Sequence, residues 1–490
     1  MCYMIRSLFI PILIILNSCA NAQSWEPAVI LPKHGSGFIM NTDLVCLNDS
    51  CLIAAWDQDT SNNMYTDNIF VSIKNNNTWT NPVTLSESNV ECSAPRICVD
   101  QNGIVHIIWG VNSIGFIGRV DKLAYSFWNG SSWSSFEYIA SNATISEGSY
   151  YISCDTIGNL HIMYGNETAP DPTKRIRHIW RIGNTWYGPE VVDGSPDFHF
   201  IIDSLSITRL TYQNALLPNH NNDVYYNHLD STCGSWFGPY VVHYSDNLDT
   251  LSYWPRIVVD HQLRKHVCWS EDLNNDILAE QILYSFSDDD SNWSNSEDVT
   301  GNLNLALMII CSAMIVDSFN NIHIAYGYYA DSNLTQGCIG YQCRQNSTWS
   351  TPYIISQSVT CLGTARLALD NNILHIIWVA DTLGDKYVCY RRKQLTAVEE
   401  QKNIPMFLNI VPNPVKNTVK LLFAVSTTGF ARIQLFDVMG RKIMAKSLLL
   451  NNAGIHSVML DLSNIAAGTY FLVVKTDNNS FSKPLIKLND

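Results

Sequence analysis

A chain of 490 residues is too long for one compact core, so two folded units are the natural expectation. With 46% hydrophobic and only 15% charged residues, a disordered chain is excluded. The formal net charge of −14 argues against nucleic acid or an anionic membrane surface as the general partner, leaving room only for a local basic site.

In chain order, the N-terminus reads first as a secretion signal over residues 1–22. Arg6 supplies the positive end, Leu8 to Leu16 the apolar stretch, and Ala20-Asn21-Ala22 a small-x-small cleavage site before Gln23. A second reading makes Leu16-Asn17-Ser18-Cys19 a lipoprotein box with Cys19 as the lipidated residue. The apolar run is too short to span a bilayer, and no later stretch is long enough, so the mature protein is expected not to be membrane-embedded.

From residue 23 to 395 one phrase recurs: an apolar run, Asp, a polar turn, His, two apolar residues and an aromatic. It stands as Ile97 to Trp109, Ile152 to Tyr164, Ile257 to Trp269, Met314 to Tyr326 and Leu367 to Trp378, with weaker copies ending at Trp56 and Tyr212. A second phrase follows the first six: a strand, an Asn/Gly/Ser-rich turn, then Trp79, Trp133, Trp186, Trp236, Trp293 or Trp349. The seventh such tryptophan is Trp25, at the opposite end of the chain and in step with the repeat. Two hairpins per repeat make one four-stranded propeller blade. The sequence therefore predicts an all-β, seven-bladed β-propeller whose last blade takes its outer strand from the N-terminus, leaving no open edge.

Most repeated residues explain themselves as scaffold. His106, His161, His266, His323 and His375, with Arg209 in the same slot, are expected to make buried hydrogen bonds, to the turn residues Asp100, Asp155, Asp260, Asp317 and Asp370. No spacing of Cys and His points to zinc, and no metal or cofactor is expected. Asp57-Gln58-Asp59 and Asp288-Asp289-Asp290 lack the calcium-loop pattern and read as solvated turns. Twelve cysteines remain after Cys2 and Cys19 are set aside. Cys46 and Cys51 flank a tight turn and are candidates for a hairpin bridge, while buried thiols suit most of the others.

What departs from the repeat carries the functional expectation. Four residues before each turn Asp, on the innermost strands, stand Arg96, Tyr151, His199, Arg256, Ala313 and Arg366. Guanidinium groups at one register favour carboxylate, sulfate or phosphate. Trp254 lies beside them in Tyr253-Trp254-Pro255-Arg256 and offers an apolar face to a sugar ring. Arg96, Tyr151, His199, Trp254, Arg256 and Arg366 are thus the candidate ligand-binding residues. The same arginines equally suit pairing with acids in a wet channel. No catalytic set can be placed beside them.

The Trp-bearing turns resemble worn Asp boxes (S-x-D-x-G-x-T-W) of the BNR or sialidase-like propellers. Ser72 to Trp79 keeps Ser and Thr-Trp, and Ser126 to Trp133 keeps Ser, Gly and Trp, both without the Asp. Those families use an arginine triad on inner strands. After a linker at 396–407 comes Val411-Pro412-Asn413-Pro414-Val415. It is followed by Asp437-Val438-Met439-Gly440-Arg441, Leu460-Asp461-Leu462-Ser463 and Gly468-Thr469-Tyr470-Phe471-Leu472-Val473-Val474. In that order these motifs resemble a type IX secretion system type A sorting domain, over residues 408–490. The resemblance implies an immunoglobulin-like β-sandwich, export across an outer membrane, and a secreted or surface-attached propeller. The expected function is binding of a glycan or acidic polysaccharide on the loop face. The alternatives are a glycoside hydrolase or polysaccharide lyase, and an adhesin or scaffold without a small ligand.

Overall fold

The computed structural model describes residues 25–395 and 408–489, apart from 36, 49, 61–66, 88–89, 114, 116–117, 215–222, 231–233, 245–249, 277, 302–306, 332, 359–364, 371, 383–384, 412, 426–428, 451–453 and 477–479. The signal segment, Cys19 and the linker lie outside the described residues, as do large parts of the long loops. Every regular element among the described residues is a β-strand.

Seven antiparallel sheets follow one another between Val29 and Gln394. Their first strands are Ile39–Asn48, Glu91–Val99, Tyr150–Cys154, Phe198–Ile202, Leu251–Val259, Leu307–Val316 and Ala365–Asp370. Each of these contacts the first strand of the next sheet, and the seventh contacts that of the first. The seventh sheet draws its outer strand from the N-terminus. Val29 and Ile30 pair with Tyr390 and Cys389, and the amides of Glu26 and Leu31 donate to Arg392 and Val388 at 2.9 Å.

In five sheets the recurring His ties the second strand to the third from inside. Its Nδ1 lies against a tyrosine hydroxyl on the third strand: His106–Tyr125 at 2.8 Å, His323–Tyr341 at 2.7 Å and His375–Tyr390 at 2.8 Å. In the third sheet His178 replaces the tyrosine opposite His161, and in the fourth Arg209 donates to the Tyr226 hydroxyl at 2.6 Å. The expected His–Asp bond is the secondary one, at 3.2 Å for His323–Asp317 but 3.8 Å for His106–Asp100. Asp100, Asp155, Asp260 and Asp317 each accept from amides of their own turn. Asp100 Oδ1 accepts from the amides of Asn102 and Ile104 at 2.8 and 2.9 Å, an Asx-type turn that explains why Asp recurs there.

The outer tryptophans join one sheet to its predecessor. Trp186 meets Tyr125, Trp293 meets Tyr226, Trp349 meets Tyr284 and Trp25 meets Tyr341, all edge-on at 5.1 to 5.3 Å. Trp79 of the first sheet meets Tyr390 of the seventh in the same way at 5.4 Å. Such edge contacts are a favoured aromatic geometry and add to the area buried.

Two sequence expectations fail here for reasons of register and pairing, the second only in part, since Asp288 and Asp289 are exposed as expected. Cys46 stands opposite Leu52 and Cys51 opposite Asn48. They do not face each other across the hairpin, because neighbouring positions on a strand point to opposite faces. Asp57 and Asp59 are buried on the strand Cys51–Asp59 rather than solvated. Asp57 accepts from the amides of Met40, Asn41 and Ala94, and Asp290 pairs with the buried Arg209 and Lys265.

Residues 408–487 form two further sheets, one of three strands and one of four, that share a single apolar core. On Gly429–Asp437 the buried Ala431, Ile433 and Leu435 alternate with more exposed residues, the period of a strand covered on one face. The Asp437-to-Arg441 motif is a turn: Asp437 Oδ1 accepts from the Met439 and Arg441 amides, and Gly440 takes the left-handed φ of 76°.

Candidate functional site

The axis of the ring holds a cavity of about 190 Å³. Asp43, Arg96, Tyr151, His199, Arg256, Ala313 and Arg366 line it, one from each first strand. Their equivalence is set by pairing. Each stands opposite the residue just before its sheet's inner aromatic: Asp43 faces Ala55, Arg96 Ile108, Tyr151 Met163, His199 Thr211, Arg256 Cys268, Ala313 Ala325 and Arg366 Ile377.

Asp43 is absent from the sequence expectation because the first repeat carries Leu47 in the slot where the other sheets have the Asp from which to count. Counting back thirteen positions from Trp56, as from the aromatics of sheets two to six, reaches it. Of the six candidate residues, five are thus brought together and Trp254 is not among the cavity's lining. The lining continues from the arginine register to Ser153, Ile201 and Met314, toward the face of the Asp turns. Trp254 lies two residues back along its strand. There it occupies a β-bulge with φ of 50°, and its amide donates to Asp197 Oδ2 at 2.8 Å. Ala94, two before Arg96, repeats this conformation with φ of 48° and donates to Asp57. The bulges before Pro95 and Pro255 therefore aim the two arginines, as bulges do when they re-orient a strand.

The arginines are anchored mainly by main-chain carbonyls. Arg96 donates to Pro95 and Gly148 at 3.1 and 3.2 Å, Arg256 to Pro255 at 3.0 Å, and Arg366 to Ser312 and Ala365 at 3.0 Å. Arg96 Nε is buried with no partner among the described residues. The one carboxylate in the lining, Asp43, is 3.7 Å from Arg366 and accepts from the Ile97 amide at 3.1 Å.

Three guanidinium groups and one carboxylate share the lining, with Asp197 outside it acting on Arg256. Burial, and then the nearby Arg96, push Arg366 down to about 10 despite Asp43. Burial raises Asp43 against the pull of Arg366 and Arg96. Burial and the three arginines hold His199 well below the usual imidazole range, so its ring is neutral at pH 7. Its Nδ1 accepts from the Ile257 amide at 3.3 Å, which leaves the proton on Nε2. Tyr151 lies 5.3 Å from Arg96 and 5.7 Å from Arg256, measured from guanidinium carbon to ring centroid. The set can hold an anion by charge-assisted hydrogen bonds in a partly dry site.

Behind the ring, burial and the neighbouring Asp57 push Glu147 up to about 7. Elsewhere, Asp272, Asp276 and Glu280 place carboxylate oxygens within 4.8 Å of one another and are the group among the described residues that could hold a cation.

Residues 409–488 match the family described as the Secretion system C-terminal sorting domain. The protein is accordingly exported through the type IX system and is either secreted or attached to the outer-membrane surface. No curated protein matches the chain in sequence. Among solved structures, a protein of unknown function from Dyadobacter fermentans aligns with 9% identity and a TM-score of 0.48, over 77% of this chain and 100% of that one. The polysaccharide lyase Uly1 aligns with 9% identity and a TM-score of 0.48, over 75% of this chain and 92% of that one. Trypanosoma rangeli sialidase in complex with sialic acid aligns with 9% identity and a TM-score of 0.38, over 93% of this chain and 86% of that one. No helix among the described residues is long and apolar enough to cross a membrane.

Proposed function

We propose that residues 23–395 are a seven-bladed β-propeller closed by its N-terminal strand, and that its axial cavity binds the acid group of a glycan or acidic polysaccharide. Residues 1–22 would be removed as a signal peptide, and 408–490 would be an immunoglobulin-like sorting domain joined by the 396–407 linker. The observation that carries the binding reading is the convergence of Arg96, Arg256 and Arg366 on one cavity whose lining holds a single carboxylate. An acidic ligand supplies the missing negative charge. The cavity's about 190 Å³ falls below the roughly 300–1,000 Å³ of sites that enclose drug-sized ligands. It therefore suits one carboxylate or sulfate and the sugar that bears it, at a chain end, rather than an enclosed oligosaccharide. His199 Nε2–H and the Tyr151 hydroxyl add neutral donors beside the arginines.

The test is calorimetric titration of the exported protein with uronic-acid and sulfated oligosaccharides, alongside their neutral counterparts. Binding of the acidic set, lost in Arg256→Ala and Arg366→Ala, is the expected result. Equal affinity for neutral and acidic sugars would overturn it. A second reading, a glycan-cleaving enzyme, is favoured by one observation: a carboxyl held near pH 7, Glu147, has the protonation range of a general acid. Release of reducing ends by the wild type but not by Glu147→Gln would establish that reading in place of simple binding.

A further inference from the structure

Two pairs of cysteines meet across sheet boundaries. Cys98, on the first strand of the second sheet, has its Sγ 3.1 Å from that of Cys154, on the first strand of the third. Cys268, on the second strand of the fifth sheet, has its Sγ 2.9 Å from that of Cys311, on the first strand of the sixth. These separations are closer than two unbonded sulfurs rest in contact, and lie within about 1 Å of the ~2.05 Å disulfide bond.

Position reinforces distance. Neither pair lies within a hairpin, where the strand pairing alone would bring two side chains together. Each joins consecutive sheets that share no strand pairing among the described residues. The Cys311 amide also donates to the Ser270 hydroxyl of the fifth sheet at 3.0 Å, which fixes the two backbones on either side of the Cys268 boundary. The protein is exported, and disulfides form and persist outside the cytoplasm.

We propose that Cys98–Cys154 and Cys268–Cys311 are two disulfide staples, each closing one boundary between consecutive sheets. They form by thiol–disulfide exchange with a disulfide-bearing oxidant met after the chain leaves the cytoplasm. One cysteine thiolate attacks the oxidant's disulfide and releases one of its sulfurs as a thiolate. The second cysteine thiolate then displaces the oxidant's other sulfur from the mixed disulfide. The cysteine S–S bond replaces the oxidant's, and two electrons and two protons end on the oxidant's pair of thiols. Burial and the neighbouring sulfur both raise the Cys98 and Cys268 thiols well above their ordinary range. Cys268 and Cys311 are also fully buried in the finished sheets. For that pair the exchange belongs to folding, before the sheets close, and the finished bond is shielded from reductants, whereas Cys98 and Cys154 are only half-buried.

The experiment is peptide mapping of the full chain as exported by a host carrying the secretion machinery. The protein is blocked with iodoacetamide during unfolding and digested without reductant. Expected are one peptide pair joined through Cys98 and Cys154 and one through Cys268 and Cys311, each lighter by two hydrogens than its separate peptides. Cys389, buried in the apolar cluster of the seventh sheet, should carry the alkyl group in the same digest. Alkylated Cys98, Cys154, Cys268 and Cys311 would overturn the proposal, and alkylation of one pair would overturn it for that boundary. A second measurement needs no variant: with the bonds present, dithiothreitol under partly unfolding conditions lowers the melting temperature of the exported protein on rescanning. An unchanged melting temperature after verified reduction would deny the bonds their stapling role.

Discussion

Two registers of the same seven sheets behave in opposite ways. In the scaffold a tyrosine recurs, bound by a histidine of its own sheet in four sheets, and Trp25, Trp79, Trp186, Trp293 and Trp349 each dock on the preceding sheet's tyrosine. At the axis, the seven equivalent positions hold Asp, Arg, Tyr, His, Arg, Ala and Arg. The joints face the same mechanical problem at each boundary, and five of them solve it with the same tryptophan-on-tyrosine contact. The axis is a single place, to which each sheet contributes one different group. Repetition therefore marks the scaffold, and loss of repetition marks the place where chemistry can differ.

Breaking a joint should be the costlier change. Trp25 is buried and anchors the strand that joins the two ends of the ring, so Trp25→Ala should lower unfolding stability by about 3–5 kcal/mol. Urea denaturation of the exported chain measures this. A change within error would place Trp25 outside the packed ring.

At the axis the expected loss is in binding. Replacing Arg256 or Arg366 with Ala should weaken an acidic ligand by about 1.5–3 kcal/mol, the range for hydrogen bonds to charged groups. The melting temperature should barely move, because each substitution also relieves repulsion among the guanidiniums. A large fall in melting temperature with unchanged affinity would assign these arginines to the scaffold and erase the contrast between the two registers.

A milder break of a joint is Tyr341→Phe, which keeps the ring under Trp25 but takes the hydroxyl from His323 Nδ1. Leaving one buried polar group unmatched should cost about 1–3 kcal/mol, measurable by the same denaturation.

The buried scaffold histidines also give stability a pH dependence. Burial lowers His106 and His161 from 6.5 to about 4. Between those values the unfolded chain binds protons that the folded chain does not, so their contribution is present above pH 6.5 and lost as pH falls toward 4. His106→Gln should flatten part of that acid limb in a melting-temperature series. An identical limb would mean that His106 takes up its proton without unfolding.

The repeat was legible because its period forces the same residues into the same slots. The aromatics, the turn Asp residues and the displaced Trp25 could be aligned by eye, and the sorting motifs lie contiguous in the chain. The axis was only partly legible. Counting from the turn Asp reached Arg96, Arg256 and Arg366, but lost Asp43, because its repeat has Leu47 in the Asp slot. Trp254 looked like part of the site because it is two residues from Arg256 in sequence. The bulge at Trp254-Pro255 leaves it outside the cavity's lining, because a bulge changes which way successive side chains point.

The sequence by itself determined the all-β character, the period, the pairing of the N-terminal strand with the end of the ring and the exported destination. Each of these rests on local patterns or on contiguous motifs. Only the tertiary structure decided which groups meet across sheets: three arginines with a single Asp43, tryptophans on preceding tyrosines, and Cys98 with Cys154. The residues in these meetings lie about fifty or more positions apart in the chain. Which of them touch depends on sheet twist, bulges and ring closure, and these belong to the packed assembly rather than to any one segment.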